Sequence, residues 1–302
     1  EGTRQALENA LLVERLTEPF SRVVPIDGFG HRLELWSLED LDAAPIVLAE
    51  LPAAEAVPTE GVPTGPRRVD WQPLESATLI WTEALDGGDP RTKVEHRDRL
   101  LRMSVEGANA TTTLAAGGQE FARTQHRSSG VDWLELPGRY LLREYDRDRR
   151  WTTTHLRDLA DPSADRVIFD RSIHDAYSNP GSPVSRTRPD DTQVVRVAGE
   201  GANAAIYLAG EGATPKGDRP FLDRLALAEG SAPERLFAAP DPASERAWAE
   251  FVAFAGSAEG VEPDQIVVRR EGVDDPADWF VVALGEAGPG RALTKLPHPH
   301  PQ

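Results

Sequence analysis

The chain has 302 residues, a length that either one large all-β domain or two ordinary domains would fill, and a formal charge of −17 from 33 basic and 50 acidic residues. That acid surplus repels phosphate backbones and anionic lipid, which sets nucleic acid and membrane surfaces aside as partners. The absence of cysteine excludes disulfides, thiolate metal sites, iron–sulfur clusters and a cysteine nucleophile.

In chain order, short apolar runs bounded by Gly, Pro, Asp and Asn dominate, at residues 10–13, 77–81, 139–142, 205–208 and 265–268. Centred on Val13, Ile80, Leu142, Tyr207 and Val267, they recur at steps of 67, 62, 65 and 60 residues. An alternating strand follows each run, at 33–38, 98–103, 153–159, 223–227 and 279–284. A third, more charged strand suited to a sheet edge then follows, at 46–51, 120–124, 166–170, 234–237 and 291–296. Four units also show an upstream strand, at 69–71, 131–133, 183–185 and 251–253. The first unit lacks one, because residues 1–9 read as polar and even helical; helical periodicity is otherwise confined to residues 244–254.

Four antiparallel strands per unit, the early ones most apolar and the last most polar, predict blades of a β-propeller, because such a sheet buries both faces only when neighbours stack on it. The fold expected is therefore an all-β propeller over residues 1–296. About five four-stranded units are visible, roughly 1–57, 64–127, 128–172, 178–239 and 245–296, in a ring that could be incomplete. A pair of β-sandwiches also offers short alternating strands, but it does not predict a three-strand recurrence every 60-odd residues. Residues 297–302, with proline at every second position, read as a linker, and together with a first residue that is not Met they point to a fragment or a processed piece.

The usual catalytic signatures are missing from the sequence. The G-x-S-x-G elbow that exposes a serine hydroxyl beside oxyanion donors does not occur. Residues 256–260 come near it but place Ser257 one position early, and they read as a flexible loop. His31, His96, His126, His155, His174, His298 and His300 are scattered without metal-ligand spacing, and His298 and His300 read as part of a solvated tail. The acidic turn Asp86-Gly87-Gly88-Asp89 reads as a hairpin rather than a calcium loop, since the twelve-residue ligand pattern is absent. No Gly-rich nucleotide fingerprint is present, and Asn109-Ala110-Thr111 is read as a chance sequon. No catalytic residue, no metal ligand and no cofactor is assigned.

The polar run Asp146-Arg147-Asp148-Arg149-Arg150-Trp151 joins two strands of the third unit. Guanidinium groups bind carboxylates through paired hydrogen bonds, so Arg147, Arg149 and Arg150 are the candidate substrate-binding residues for acidic peptide side chains. The plainer reading is that they pair with Asp146, Asp148 and other surplus acids.

Several segments carry a resemblance. They are Trp81-Thr82-Glu83-Ala84-Leu85-Asp86-Gly87-Gly88-Asp89-Pro90, His96-Arg97-Asp98-Arg99-Leu100, Phe169-Asp170-Arg171-Ser172 with Pro180-Gly181-Ser182-Pro183, and Gly210-Glu211-Gly212-Ala213-Thr214-Pro215-Lys216-Gly217-Asp218-Arg219-Pro220-Phe221-Leu222-Asp223-Arg224-Leu225. With Arg269-Arg270-Glu271 and the stretch from Arg291 to Pro297, the chain resembles the later propeller blades of bacterial glutamyl-endopeptidase-like members of the prolyl oligopeptidase family of serine peptidases. Departures from the pattern lie around residues 107–110, 199–205 and 256–262. The resemblance implies a non-catalytic propeller that gates or steers peptide substrates into an α/β-hydrolase domain bearing Ser, Asp and His, a domain this sequence does not contain. It implies a cytoplasmic or periplasmic parent enzyme, and the skew of the basic residues to arginine, with only Lys93, Lys216 and Lys295 as lysines, fits a GC-rich bacterial source. A stand-alone binding or scaffold propeller for a protein partner is the alternative. A glycan-active propeller ranks last, because no aspartate-box string is present.

Overall fold

The computed structural model describes residues 2–7, 9–241, 247–256, 261–272, 275–285 and 290–297, with backbone alone for 2–7 and 247. Its strands form five antiparallel sheets and one short hairpin. The first sheet is β1 (Gly2–Leu7), β2 (Ala10–Leu16), β3 (His31–Ser37) and β4 (Ile46–Leu51); the second is β5 (Arg67–Trp71), β6 (Thr78–Ala84), β7 (Asp98–Ser104) and β8 (Gln119–Thr124). The third is β9 (Arg127–Trp133), β10 (Arg139–Asp146), β11 (Trp151–Asp158) and β12 (Arg166–Ser172). The hairpin pairs β14 (Ser185–Thr187) with β15 (Gln193–Val195). The fourth sheet takes β13 (Ser182–Pro183), β16 (Val197–Ala198), β17 (Ala205–Gly210), β18 (Phe221–Ala226) and β19 (Glu234–Ala238). The fifth is β20 (Ala247–Phe254), β21 (Gln265–Gly272), β22 (Asp278–Ala283) and β23 (Arg291–Ala292).

In four of the sheets the strands follow chain order from one edge to the other, each hydrogen-bonded to the next, which is the meander of a propeller blade. The fold class is accordingly all-β and of propeller type. The only α-helix among the described residues is one turn, Leu114–Gly117, whose N-cap Thr113 accepts a hydrogen bond from the Ala116 N–H.

The chain divides into two compact units, one made of residues 1–133, 137–170 and 187–194 and the other of residues 134–136, 171–186 and 195–302. In the first unit the period of two along a strand decides which neighbour each side chain meets. Leu79, Trp81 and Leu101 of the second sheet pack with Leu12, Leu33, Leu35 and Leu48 of the first. Their chain neighbours Ile80 and Leu100 point the other way and pack with Trp133, Tyr140 and Leu142 of the third sheet. The second sheet is therefore dry on both faces, as a blade is and as either sheet of a two-layer sandwich is not. In the second unit Tyr207 and Leu222 pack with Ile266, Val268 and Val282 in the same face-to-face manner. A fully buried aliphatic side chain such as Leu79, Leu142 or Ile266 contributes about 1.5–3 kcal/mol by leaving water.

Three local expectations are corrected. Residues 2–7 are strand, not helix: β1 lies against β2 with Gly2 opposite Glu14 and a bulge between Arg4 and Ala6, so the first sheet has its opening strand. An available sheet edge outweighs the weak local preference of such a segment. Residues 247–254 are strand, which contains the strand expected at 251–253 and sets aside the helical periodicity noted over 244–254, and the reason they fit a helical wheel is visible. A bulge between Phe251 and Ala253 offsets the alternation, so Phe251 and Phe254 pack on the same core three residues apart. The expected strand at 183–185 is divided between β13, which ends at Pro183 and pairs with β17, and β14, which begins at Ser185 and pairs with β15.

Candidate functional site

The third sheet's second hairpin presents the arginine run. Asp146 ends β10 opposite Trp151, which begins β11, and residues 147–150 form the turn between them. Asp146 fixes the turn: its Oδ1 accepts the N–H groups of Asp148 at 3.0 Å and Arg149 at 3.2 Å. Arg150 adopts φ +54° to close it. The three guanidinium groups leave in different directions. Arg147 donates to Glu60 Oε1 at 2.6 Å. Arg149 lies 4.8 Å over the Trp151 ring and 3.9 Å from Asp146 Oδ2. Arg150 donates to the Tyr145 hydroxyl at 3.4 Å. One of the surplus acids named in the plainer reading, Asp146, is thus a partner of Arg149, while Arg147 reaches an acid 87 residues away.

On the neighbouring strand, where Arg127 lies opposite Tyr145, begins a buried charge cluster that the sequence did not disclose. Arg127 at the start of β9 grips both carboxylate oxygens of Asp86, at 2.7 and 2.6 Å, and reaches Asp98 Oδ1 at 2.8 Å. Arg67 donates to Asp98 at 2.7 Å and Arg97 to Asp86 at 2.8 Å; the Ser128 N–H donates to Asp98 Oδ2 and the Gly88 N–H to Asp86 Oδ1. Burial opposes ionisation of Asp86, yet the hydrogen bonds from Arg127, Arg97 and Gly88 outweigh it and hold its carboxyl below the ordinary range. Burial likewise opposes the Arg127 charge, and Asp86 and Asp98 together override it. The Asp86–Asp89 turn is thus a hairpin-closing anchor. Its carboxylates are already taken by arginine, Asp89 being pulled down to about 2 by hydrogen bonds from Arg91.

The anchor in turn positions Glu60. Gly88, at φ +78°, lets Val62 approach so closely that a Cβ would meet the Val62 carbonyl oxygen at 2.1 Å, and its own carbonyl accepts the Val62 N–H at 3.0 Å. Residues 58–61 form a tight turn closed by Gly61 N–H to Pro58 O at 2.8 Å, and Glu60 sits in it at φ +65°. Behind this turn, within the first unit, is a cavity of about 480 Å³ walled by Leu12, Phe29, Leu33, Val57, Val62 and Val69, with Arg67, Arg68, His31 and Glu14 also lining it. The prolines at 52, 58, 63 and 66, which stiffen the connection between the first two sheets, were its one trace in the sequence.

The described histidines that have ring partners have carboxylates and a carbonyl. His155 contacts Asp165 at 2.8 Å and Glu144 at 3.5 Å; His126 lies 3.7 Å from Asp146, and His31 meets the Phe29 carbonyl and Glu14. Hydrogen bonding to Glu144, and then to Asp165, outweighs burial and raises the His155 pKa. Among the described residues no group of three or more His, Asp or Glu is arranged to hold a metal ion, and no helix is long and apolar enough to cross a membrane. Residues 257–260 of the near-match to a serine elbow, His298, His300 and the rest of the expected linker beyond Pro297 lie outside the described residues.

No protein-family model matches the chain. A rice protein, from Oryza sativa subsp. japonica, named probable glutamyl endopeptidase, chloroplastic, is 29% identical over 299 residues, covering 97% of this chain and 31% of its own. Its namesake from Arabidopsis thaliana is 29% identical over 301 residues, covering 97% and 30%. The chain spans about a third of the length of these curated relatives. Among solved structures, the β-propeller domain of the Trilobed protease from Pyrococcus furiosus aligns with a TM-score of 0.41 at 13% identity, over 95% of this chain and 69% of that one. Prolyl oligopeptidase B from Galerina marginata gives 0.46 at 11% identity, over 92% and 36%. The resemblance to glutamyl endopeptidases read from the motifs therefore extends along nearly the whole chain, and the fold rests on the hydrogen bonding of the sheets themselves. Both curated relatives are plant proteins, which lends nothing to the bacterial source expected from composition.

Proposed function

We propose that this chain is the non-catalytic propeller portion of a serine peptidase of glutamyl-endopeptidase type, and that it gates or steers peptides toward an α/β-hydrolase domain supplied by other residues of the parent protein. The observation that carries this reading is the 29% identity along 97% of the chain to proteins named probable glutamyl endopeptidases. Arg147, Arg149 and Arg150 are the proposed substrate contacts. A guanidinium on an exposed turn, backed by Trp151 and Tyr145, offers paired N–H donors to an incoming carboxylate and is more weakly hydrated than an ammonium group would be.

The test uses a chromogenic glutamyl peptide. The purified chain alone gives no turnover above background; the parent peptidase cleaves it, and substituting all three arginines by alanine lowers kcat/KM for the glutamyl peptide while sparing its glutaminyl counterpart. Inhibitor-sensitive turnover by the chain alone would overturn the reading.

A second reading, a stand-alone scaffold for a protein partner, is favoured by one feature of the first unit. Phe20, Val23 and Ile26 are 53–77% exposed on the one loop that precedes β3, and exposed apolar side chains gathered in one loop mark a contact surface. Tight capture of a partner other than the hydrolase region, with none of that region retained, would decide for it.

A further inference from the structure

Arg147 already holds a carboxylate. Its partner Glu60 arrives from the connection between the first and second sheets, whereas Arg147 belongs to the third, so nothing in the local chain brings them together. Glu60 stays in place without the bridge, because its turn is pressed against the residue 86–88 turn. A Cβ on Gly61 would meet the Gly88 carbonyl oxygen at 2.5 Å, and Gly88 is in turn held by buried Asp86. The backbone at Glu60 is left-handed, a conformation that suits glycine or asparagine better than glutamate. The effect of that conformation is to aim a glutamate side chain at the arginine turn. Arg150 is drawn into the same field: its charge is favoured first by Tyr145 and, more weakly, by Glu60.

We propose that Glu60 is a resident stand-in for the acidic substrate side chain, occupying the Arg147 carboxylate site until a peptide glutamate or aspartate displaces it. The inference rests on the reading of Arg147, Arg149 and Arg150 as the acidic-peptide contact, and it adds to that reading an internal competitor. Both side chains are half exposed, at 50% and 48%, so the bridge is weak and water can compete with it, as exchange requires. An acidic peptide thus trades one carboxylate for another at little net cost, whereas a neutral peptide would leave Arg147 with Glu60 and gain nothing from it.

The experiment measures the affinity of a fluorescent glutamate-containing peptide and its glutamine counterpart for the whole chain carrying Glu60→Gln, Glu60→Gly, Arg147→Ala, or Glu60→Gln with Arg147→Ala. Glycine fits the left-handed backbone, so Glu60→Gly stays informative if the glutamine keeps a hydrogen bond to Arg147. The expected result is an approximately two- to five-fold tightening for the glutamate peptide in both Glu60 variants, the size of an exposed ion pair. No change is expected for the glutamine peptide, and the gain disappears in the double variant. In parallel, phenylglyoxal labelling of Arg147 read by mass spectrometry is faster once the Glu60 carboxylate is gone. Unchanged affinity in both Glu60 variants, with weaker binding in Arg147→Ala, would overturn the competitor while leaving the arginine contact standing. An unchanged labelling rate at Arg147 would overturn the competitor without reference to any peptide. Equal glutamate-peptide affinity across all the variants, Arg147→Ala included, would remove the contact and the competitor together.

Discussion

Arg67, Arg97 and Arg127 converge on two carboxylates that are 0% exposed, whereas Arg147, Arg149 and Arg150 leave one four-residue turn in three directions and stand in solvent. Both groups belong to the first unit and both face a chain rich in acids. In the first group every carboxylate oxygen of Asp86 and Asp98 accepts a hydrogen bond, and Arg127 of the third sheet is tied to both acids of the second. In the second, Arg147 reaches a carboxylate 87 residues away, and Arg149 lies beside Asp146 at the foot of the turn. Buried arginine of this kind is structure, and exposed arginine on a rigid turn is available for recognition.

Substitutions that break the comparison have graded effects. Asp98→Ala leaves Arg67 and Arg127 buried without a shared acceptor and costs about 3–5 kcal/mol, read by urea unfolding. Gly88→Ala forces a Cβ onto the Val62 carbonyl oxygen in a left-handed backbone and costs about 1–3 kcal/mol by the same measurement.

The pH dependence sharpens the contrast in two directions. Asp86, held below the usual carboxylate range, contributes stability that is present above the unfolded value of about 3.9 and is lost as pH falls through the lower folded value. Asp86→Asn therefore flattens the acid limb of a stability profile. His155, whose pKa is raised by Glu144 and then Asp165, contributes stability that is complete below the unfolded value of about 6.5 and is lost as pH rises through the higher folded value. His155→Gln accordingly destabilises the chain more at pH 5.5 than at pH 9 in thermal melts. The smallest effect is that of the exposed group: alanine at Arg147, Arg149 and Arg150 together changes unfolding free energy by no more than about 0.5 kcal/mol.

The same contrast explains what was legible in the sequence. The blade recurrence could be read because each unit's dry second strand, such as Thr78–Ala84 or Ala205–Gly210, is a local apolar run bounded by turn residues. The arginine run could be read because all of it lies in six consecutive residues. Strand β1 and the Asp86–Arg127 anchor could not, since each depends on a partner chosen in space: β1 on an available edge of β2, and Asp86 on an arginine 41 residues away. Glu60 was hidden for the same reason. The wheel-like spacing of residues 247–254 misled because a strand with a bulge, like a helix, can set residues three apart on one face.

The central claim is that the 147–150 turn selects carboxylate side chains of peptides. Isothermal titration of the chain with a glutamate peptide and its glutamine twin, before and after alanine replaces Arg147, Arg149 and Arg150, measures that selectivity directly. The account predicts that the wild-type chain prefers the glutamate peptide and that the triple variant, equally stable, binds the two alike. A preference that survives the triple substitution, or that the wild-type chain never shows, would contradict it.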